Sequence, residues 1–132
     1  MYFYWGGAGA STMTNYINQV HTFEQNKNVC YVDGATYHTY TNSSWSCPVP
    51  IFLFARTANG SSANDIGGTV RIYNCQLYDN GTLVRDFIPC VNPYGEVGMF
   101  DRVTGGFFGN SGTGRFVAGP TREPLPMYNR WI

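Results

Sequence analysis

Residues 70–90 read VRIYNCQLYDNGTLVRDFIPC. At their centre stands Asn80-Gly81, the dipeptide that most readily supplies positive φ at both positions of a two-residue hairpin turn. β-Branched and aromatic residues flank it on both sides, so the stretch predicts two antiparallel strands of about eight to ten residues joined by that turn. No other segment carries so strong a local signal.

The same pattern recurs outward from this hairpin. NVCYVDGATYHTY (28–40) surrounds Asp33-Gly34 with strand-forming residues and predicts a second hairpin, with Val32 facing Ala35 and Cys30 facing Tyr37. VGMFDRVTGGFFG (97–109) predicts a third. PVPIFLFAR (48–56) is an unbroken apolar run that suits a strand buried on both faces, and Tyr16 to Glu24 and Tyr2 to Trp5 are weaker strands. Residues 57–68 (TANGSSANDIGG) and 109–115 (GNSGTGR) read as loops from their Gly, Ser and Asn content. About eight or nine short strands with no helix longer than a turn imply a sandwich or barrel. Nothing repeats at a fixed period. One domain over residues 1–120 is expected, followed by a tail at 121–132, TREPLPMYNRWI, whose prolines forbid a central strand and whose apolar residues suit packing on something.

Composition narrows the function classes. The 132 residues are 17% aromatic and only 12% charged, about half the usual charged share. Eight basic and eight acidic residues cancel, so no long-range field draws in a phosphate backbone or an anionic membrane, and nucleic acid is not an expected partner. No run is long enough for a membrane helix, and MYFYWGGAGAS lacks the basic region and apolar core of a signal peptide. Cys30, Cys47, Cys75 and Cys90 form no C-x-x-C pair and stand at no zinc spacing with either histidine. They are compatible with free half-buried thiols, and a Cys30–Cys47 bridge stays open.

Over residues 21–119 the sequence resembles the C-terminal two thirds of the concanavalin A-like, laminin G-like (LamG) domains of phage, prophage and gut-bacterial surface proteins. HTFEQNKNVCYVDGATYHTY, PVPIFLFAR and above all TVRIYNCQLYDNGTLVRDFIPCVNPYGEVGMFDRVTGGFFGNSGTGRFVAGP carry the likeness. The resemblance implies an all-β fold, an antiparallel two-sheet jelly-roll sandwich of the concanavalin A-like kind. It also implies a role in carbohydrate binding or adhesion on a virion or bacterial cell surface. Such domains begin with several more strands upstream, for which about 20 residues are left here, so the jelly roll is expected to lack N-terminal strands or to rebuild them.

An enzyme on this fold needs two carboxylates close together on one strand face. The eight acids stand singly along the sequence, Glu24, Glu96 and Glu123 among turn-like or polar residues, so no catalytic residue is expected and the protein is read as non-catalytic. GNSGTG at 109–114 is glycine-rich, but no helix follows it to bind phosphate. A sugar binder needs an aromatic platform beside short polar groups. TNSSWSCP (41–48) sets Trp45 among Asn42, Ser43, Ser44 and Ser46, and the 57–68 segment brings Asn59, Asn64 and Asp65 together. Trp45 could equally cap the sandwich edge. Asn64 and Asp65 could hold a calcium ion with hard oxygen ligands, or form an ordinary turn through side-chain to backbone bonds. Tyr73, Tyr78, Phe87, Phe107 and Phe108 read as core or sheet-face residues, and His21 and His38 have no acid partner in sequence.

Two functions follow. One is a non-catalytic carbohydrate-recognition and adhesion module for a glycan or cell-surface polysaccharide. The other is a structural decoration protein of a virion or surface assembly with no sugar ligand. A shortened jelly roll leaves a sheet edge bare, and only one lysine, Lys27, is available to protect it. The aromatic ends Tyr2–Trp5 and Met127–Trp131 therefore predict contacts with other virion or surface proteins, or a closed homo-oligomer.

Overall fold

The Asn80-Gly81 turn forms as its dipeptide predicts. We describe a computed structural model that covers residues 4–5, 8–9, 18–41, 55–58, 62–65, 70–111 and 115–120. In it Asn80 has φ 48° and Gly81 φ 82°, the paired positive values of a type I′ turn. A β-carbon on Gly81 would meet no atom within 4 Å, so any cost of adding one is a backbone cost. Gly81→Val is expected to cost about 1 kcal/mol or more through left-handed strain alone. A melting temperature equal to that of the parent protein would show that the turn relaxes freely.

Eleven strands and no helix are found among the described residues. They are β1 (Tyr4–Trp5), β2 (Ala8–Gly9), β3 (Phe23–Asn26), β4 (Val29–Val32), β5 (Ala35–Thr39), β6 (Ala55–Ala58), β7 (Ser62–Asp65), β8 (Cys75–Asp79), β9 (Thr82–Val91), β10 (Val97–Asp101) and β11 (Phe107–Phe108). All pairings are antiparallel. They build a three-stranded sheet β3-β4-β5, a four-stranded sheet β11-β10-β9-β8, and the two-stranded ribbons β1-β2 and β6-β7. The chain divides into two compact units, Met1–Ile51 and Phe52–Ile132.

In the first unit Asp33 (φ 51°) and Gly34 (φ 79°) make the predicted turn between β4 and β5. Val32 faces Ala35 as expected, but Cys30 faces His38 rather than Tyr37. The cause is a β-bulge. Tyr31 pairs with Thr36 and Cys30 with His38, which leaves Tyr37 as the extra residue and shifts the phase of β5 by one. Cys30 and Val32 alternate inward on β4 and, with Tyr40 just past β5, are the buried apolar side chains of this unit among the described residues. Asn28 closes the far end of the hairpin, its carbonyl accepting from the Tyr40 N–H at 2.8 Å and its side-chain amide donating to the Tyr40 carbonyl at 2.7 Å. The strand expected from Tyr16 to Glu24 begins only at Phe23 within the described residues, and the two-residue Lys27-Asn28 turn joins it to β4.

In the second unit the hairpin of β8 and β9 repeats that design. Tyr78 pairs with Leu83 and Leu77 with Arg85, so Val84 is the bulged residue, at the same distance past the turn as Tyr37. β9 has the expected length, whereas β8 has five residues and residues 70–74 lie outside it. Pro89 explains the difference. β9 gives its first half to β8 and its second half to β10, and only Phe87 pairs with both, through Cys75 and Asp101. Beyond Phe87 the β8 side meets a proline with no N–H to donate, so the ladder cannot continue there.

β10 and β11 form the third predicted hairpin. Phe87 and Phe108 pack edge to face with centroids 5.4 Å apart, beside the buried Met99. Of residues 57–68, expected as a loop, those described, 57–58 and 62–65, pair in the β6-β7 ribbon, where Thr57 faces Ala63 and Ala58 faces Ser62. β-Propensity depends strongly on context, so Gly and Asn content alone does not forbid a short backbone ladder. Of the apolar run 48–56, residues 48–54 lie outside the described residues, and Ala55 and Arg56 open β6.

Candidate functional site

Trp45, Asn42, Ser44 and Asn59 lie outside the described residues. Asn64 and Asp65 stand in β7 rather than in a loop, and among the described residues no three His, Cys, Asp or Glu gather as a metal site would require. The site the structure does build is elsewhere, at the turn between β9 and β10.

Val-Asn-Pro-Tyr-Gly-Glu-Val (91–97) folds tightly because Asn92 bonds almost everything around it. Its side-chain oxygen accepts from the N–H of Tyr94 at 3.0 Å and of Glu96 at 2.9 Å, and its carbonyl accepts from the Gly95 N–H at 2.9 Å. Its own N–H donates to the Glu96 carbonyl at 2.9 Å, and its amide donates to Glu96 Oε2 at 3.1 Å. Pro93 presets the turn and Gly95 closes it at φ 83°. The outcome is a rigid turn that carries the Tyr94 ring outward, 95% exposed.

Beside this turn the chain leaving β11 and the segment 115–120 enclose an open pocket of about 310 Å³, lined by Gly95, Glu96, Val97, Asn110, Arg115 and Phe116. It therefore combines a carboxylate, an amide, a guanidinium and a partly exposed ring. Among the described residues Arg115 makes no ion pair, whereas Arg85 and Arg102 each engage a carboxylate. The Glu96 carboxylate rests on the backbone of Gly109, where an added β-carbon would come within van der Waals overlap of Oε1. Asn92-Pro93-Tyr94-Gly95 is a turn signal that displays its central tyrosine, and in sequence it is the one pointer to this place. Nothing in the sequence alone brings Arg115 to Glu96.

The acids that stand singly along the chain do meet in one place. Asp101, with no exposed surface, accepts from the N–H groups of Asp86 (2.9 Å) and Val103 (3.1 Å) at Oδ1. At Oδ2 it accepts from the Thr104 hydroxyl (2.6 Å), with Arg85 Nε at 3.5 Å. The neighbouring Asp86, also buried, binds Gln76 through Oδ1 (3.2 Å) and Arg102 through Oδ2 (2.6 and 2.8 Å). Burial pushes the Asp101 carboxyl up. The three hydrogen bonds and the Arg85 charge outweigh that and hold it below the ordinary carboxylate value. Each carboxylate oxygen is engaged within the protein, so this pair clamps the β8-β9-β10 corner.

His21 has an acid partner after all, which its position in the sequence hides. Its Nδ1 hydrogen-bonds Asp33 Oδ2 at 2.7 Å, while the Thr22 N–H donates to Asp33 Oδ1 at 2.9 Å. These bonds hold the Asp33 carboxyl below its usual value. They tie the chain before β3 to the β4-β5 turn, which the Thr22 carbonyl grips again by accepting from the Asp33 N–H at 2.9 Å. Cys30, Cys75 and Cys90 are free thiols, and burial raises the pKa of all three; Cys47 lies outside the described residues. Compared with known proteins, the chain matches no family model, no curated protein and no solved structure.

Proposed function

We propose that the chain is a non-catalytic carbohydrate-recognition and adhesion module of a phage or bacterial surface structure, built on a concanavalin A-like jelly roll. Its glycan site on this reading is the pocket beside the β9-β10 turn. The observation that carries it is the composition of that pocket. Sugars present apolar C–H faces and rings of hydroxyls, and here Phe116 at the pocket and Tyr94 on the adjoining turn offer rings beside Glu96, Asn110 and Arg115, which offer acceptors and donors. The low overall charge agrees with a neutral ligand class.

A glycan array probed with the purified protein, with calcium and with a chelator, tests this directly. Stacking on one ring contributes about 0.5–1.5 kcal/mol beyond area burial, so Phe116→Ala is expected to weaken binding roughly two- to tenfold and Tyr94→Ala to act in the same direction. A folded Phe116→Ala protein with unchanged affinity would remove the pocket from the reading, and Trp45→Ala then tests the other aromatic candidate. Loss of binding in the chelator would support a calcium requirement, and Asp65→Ala then tests the Asn64 and Asp65 pair.

A structural decoration role is the second reading, favoured by apolar side chains left in solvent, with Val20 at 65% and Val117 at 86% exposure. Light scattering separates the two: a homo-oligomer with no array signal supports assembly without a sugar.

A further inference from the structure

We infer that the pocket beside the β9-β10 turn accepts neutral pyranosides and rejects anionic ones, with Glu96 as the residue that sets the choice. The inference rests on the glycan reading of that pocket and adds the chemical class of the ligand.

Glu96 and Arg115 line the same opening without pairing with each other. A guest therefore meets a fork of guanidinium donors and a fixed negative charge. That charge is held in place from two directions: the Asn92 amide donates to Oε2 at 3.1 Å, and Oε1 lies against the Gly109 backbone, which has no β-carbon to displace it. Asn92 also binds the Glu96 N–H, so the whole residue is anchored by one turn.

A neutral ring with vicinal hydroxyls satisfies both charges, because each hydroxyl accepts from one neighbour and donates to another. Its oxygens take hydrogen bonds from Arg115 and its O–H groups donate to the free lone pairs of Glu96. A uronate or other acidic sugar would satisfy Arg115 bidentately, but it would bring a second carboxylate into a pocket of about 310 Å³ that already holds one. The cost of that approach is what rejects it, as in other sites where a repulsive element supplies the specificity. The volume stands at the small end of the range for ligand sites and suits a monosaccharide or short oligosaccharide. Because Glu96 is exposed to solvent, the repulsion is screened by salt and the selectivity is greatest at low ionic strength.

The test uses the full chain with immobilised dextran, mannan and galactan as neutral probes. Polygalacturonate and its fully methyl-esterified form serve as a matched charged and uncharged pair. The parent protein is expected to bind within the neutral set and to bind anionic polymer at least about tenfold more weakly at low salt. Glu96→Gln keeps an oxygen for Asn92 and removes the charge, so it is expected to shrink that gap to about twofold. Gly109→Ala keeps the charge but pushes the carboxylate aside; only the flexible end of a side chain has to move, so the melting temperature should hold while the gap narrows. Parent protein that binds anionic polymer as well as neutral polymer, or a gap unchanged in both variants, overturns the inference and leaves the glycan reading standing. Binding to no polymer of either class overturns the glycan reading itself, and this inference with it.

Discussion

Gly98→Ala is expected to be among the most damaging small substitutions in the second unit, lowering stability by about 1–3 kcal/mol. Gly98 is the second residue of β10, paired with Cys90 on β9, and is buried. An added β-carbon would lie 2.5 Å from Cζ of Phe107 and 2.6 Å from the carbonyl oxygen of Phe108. The ring could turn away, but the carbonyl belongs to the backbone of β11 and can move only if that strand moves. The Phe107 ring covers the glycine, filling space that a side chain on β10 would take, as aromatic residues do over glycines in sheets. At the usual scale of about 4–8 °C per kcal/mol for a unit of this size, thermal melting resolves the effect easily. Gly119→Ala is the control, since its β-carbon would stand 3.5 Å from Arg71 Nε in ordinary contact. Combining Gly98→Ala with Phe107→Leu should recover part of the loss, because one of the two clashes is relieved. Equal melting temperatures for Gly98→Ala and Gly119→Ala would show that β11 is not seated on β10 as described.

Asp101→Ala is the second large expected loss, and it carries a pH signature. Removing the carboxylate leaves the Asp86 and Val103 N–H groups and the Thr104 hydroxyl without an acceptor and Arg85 without its counter-charge. Asp101→Ala should therefore lower the melting temperature far more than Asp79→Asn, a change at an exposed strand end. Because the folded carboxyl lies below its unfolded value, its stabilisation is fully present above the ordinary carboxylate pKa of about 4 and is lost as pH falls through the lower folded value. The Asp33 carboxyl, lowered by His21 and Thr22, adds a contribution of the same sign. Acid titration of the melting temperature should then show a steeper fall below about pH 4 in the parent protein than in Asp101→Ala. Parallel curves would mean that Asp101 contributes nothing through its charge.

How much of this was legible in the sequence depends on distance along the chain. The all-β class and three hairpins could be read directly. Asn80-Gly81, Asp33-Gly34 and the glycine-rich break before Phe107 each place turn chemistry between strand formers, and turn and strands are set by residues within about ten positions of one another. The bulges at Tyr37 and Val84 could not. A bulge displaces one residue in a ladder and depends on which side chains must reach the core, so Cys30 came to face His38. The short length of β8 was written in Pro89, but only the pairing shows that Pro89 stands where β8 would have continued.

Local chemistry by itself determined the three hairpins, their type I′ turns at Asp33-Gly34 and Asn80-Gly81, and the exposed turn at Asn92–Gly95, because φ preference and alternation act between near neighbours. Tertiary structure alone decided the rest. Asp86 meets Asp101, His21 meets Asp33, and Glu96 shares a pocket with Arg115, each pairing residues separated by a turn or by whole strands. Charge and hydrogen-bond partners are assigned by where strands lie in register, and register follows from burial and ladder geometry across the sheet, which no single stretch of sequence contains.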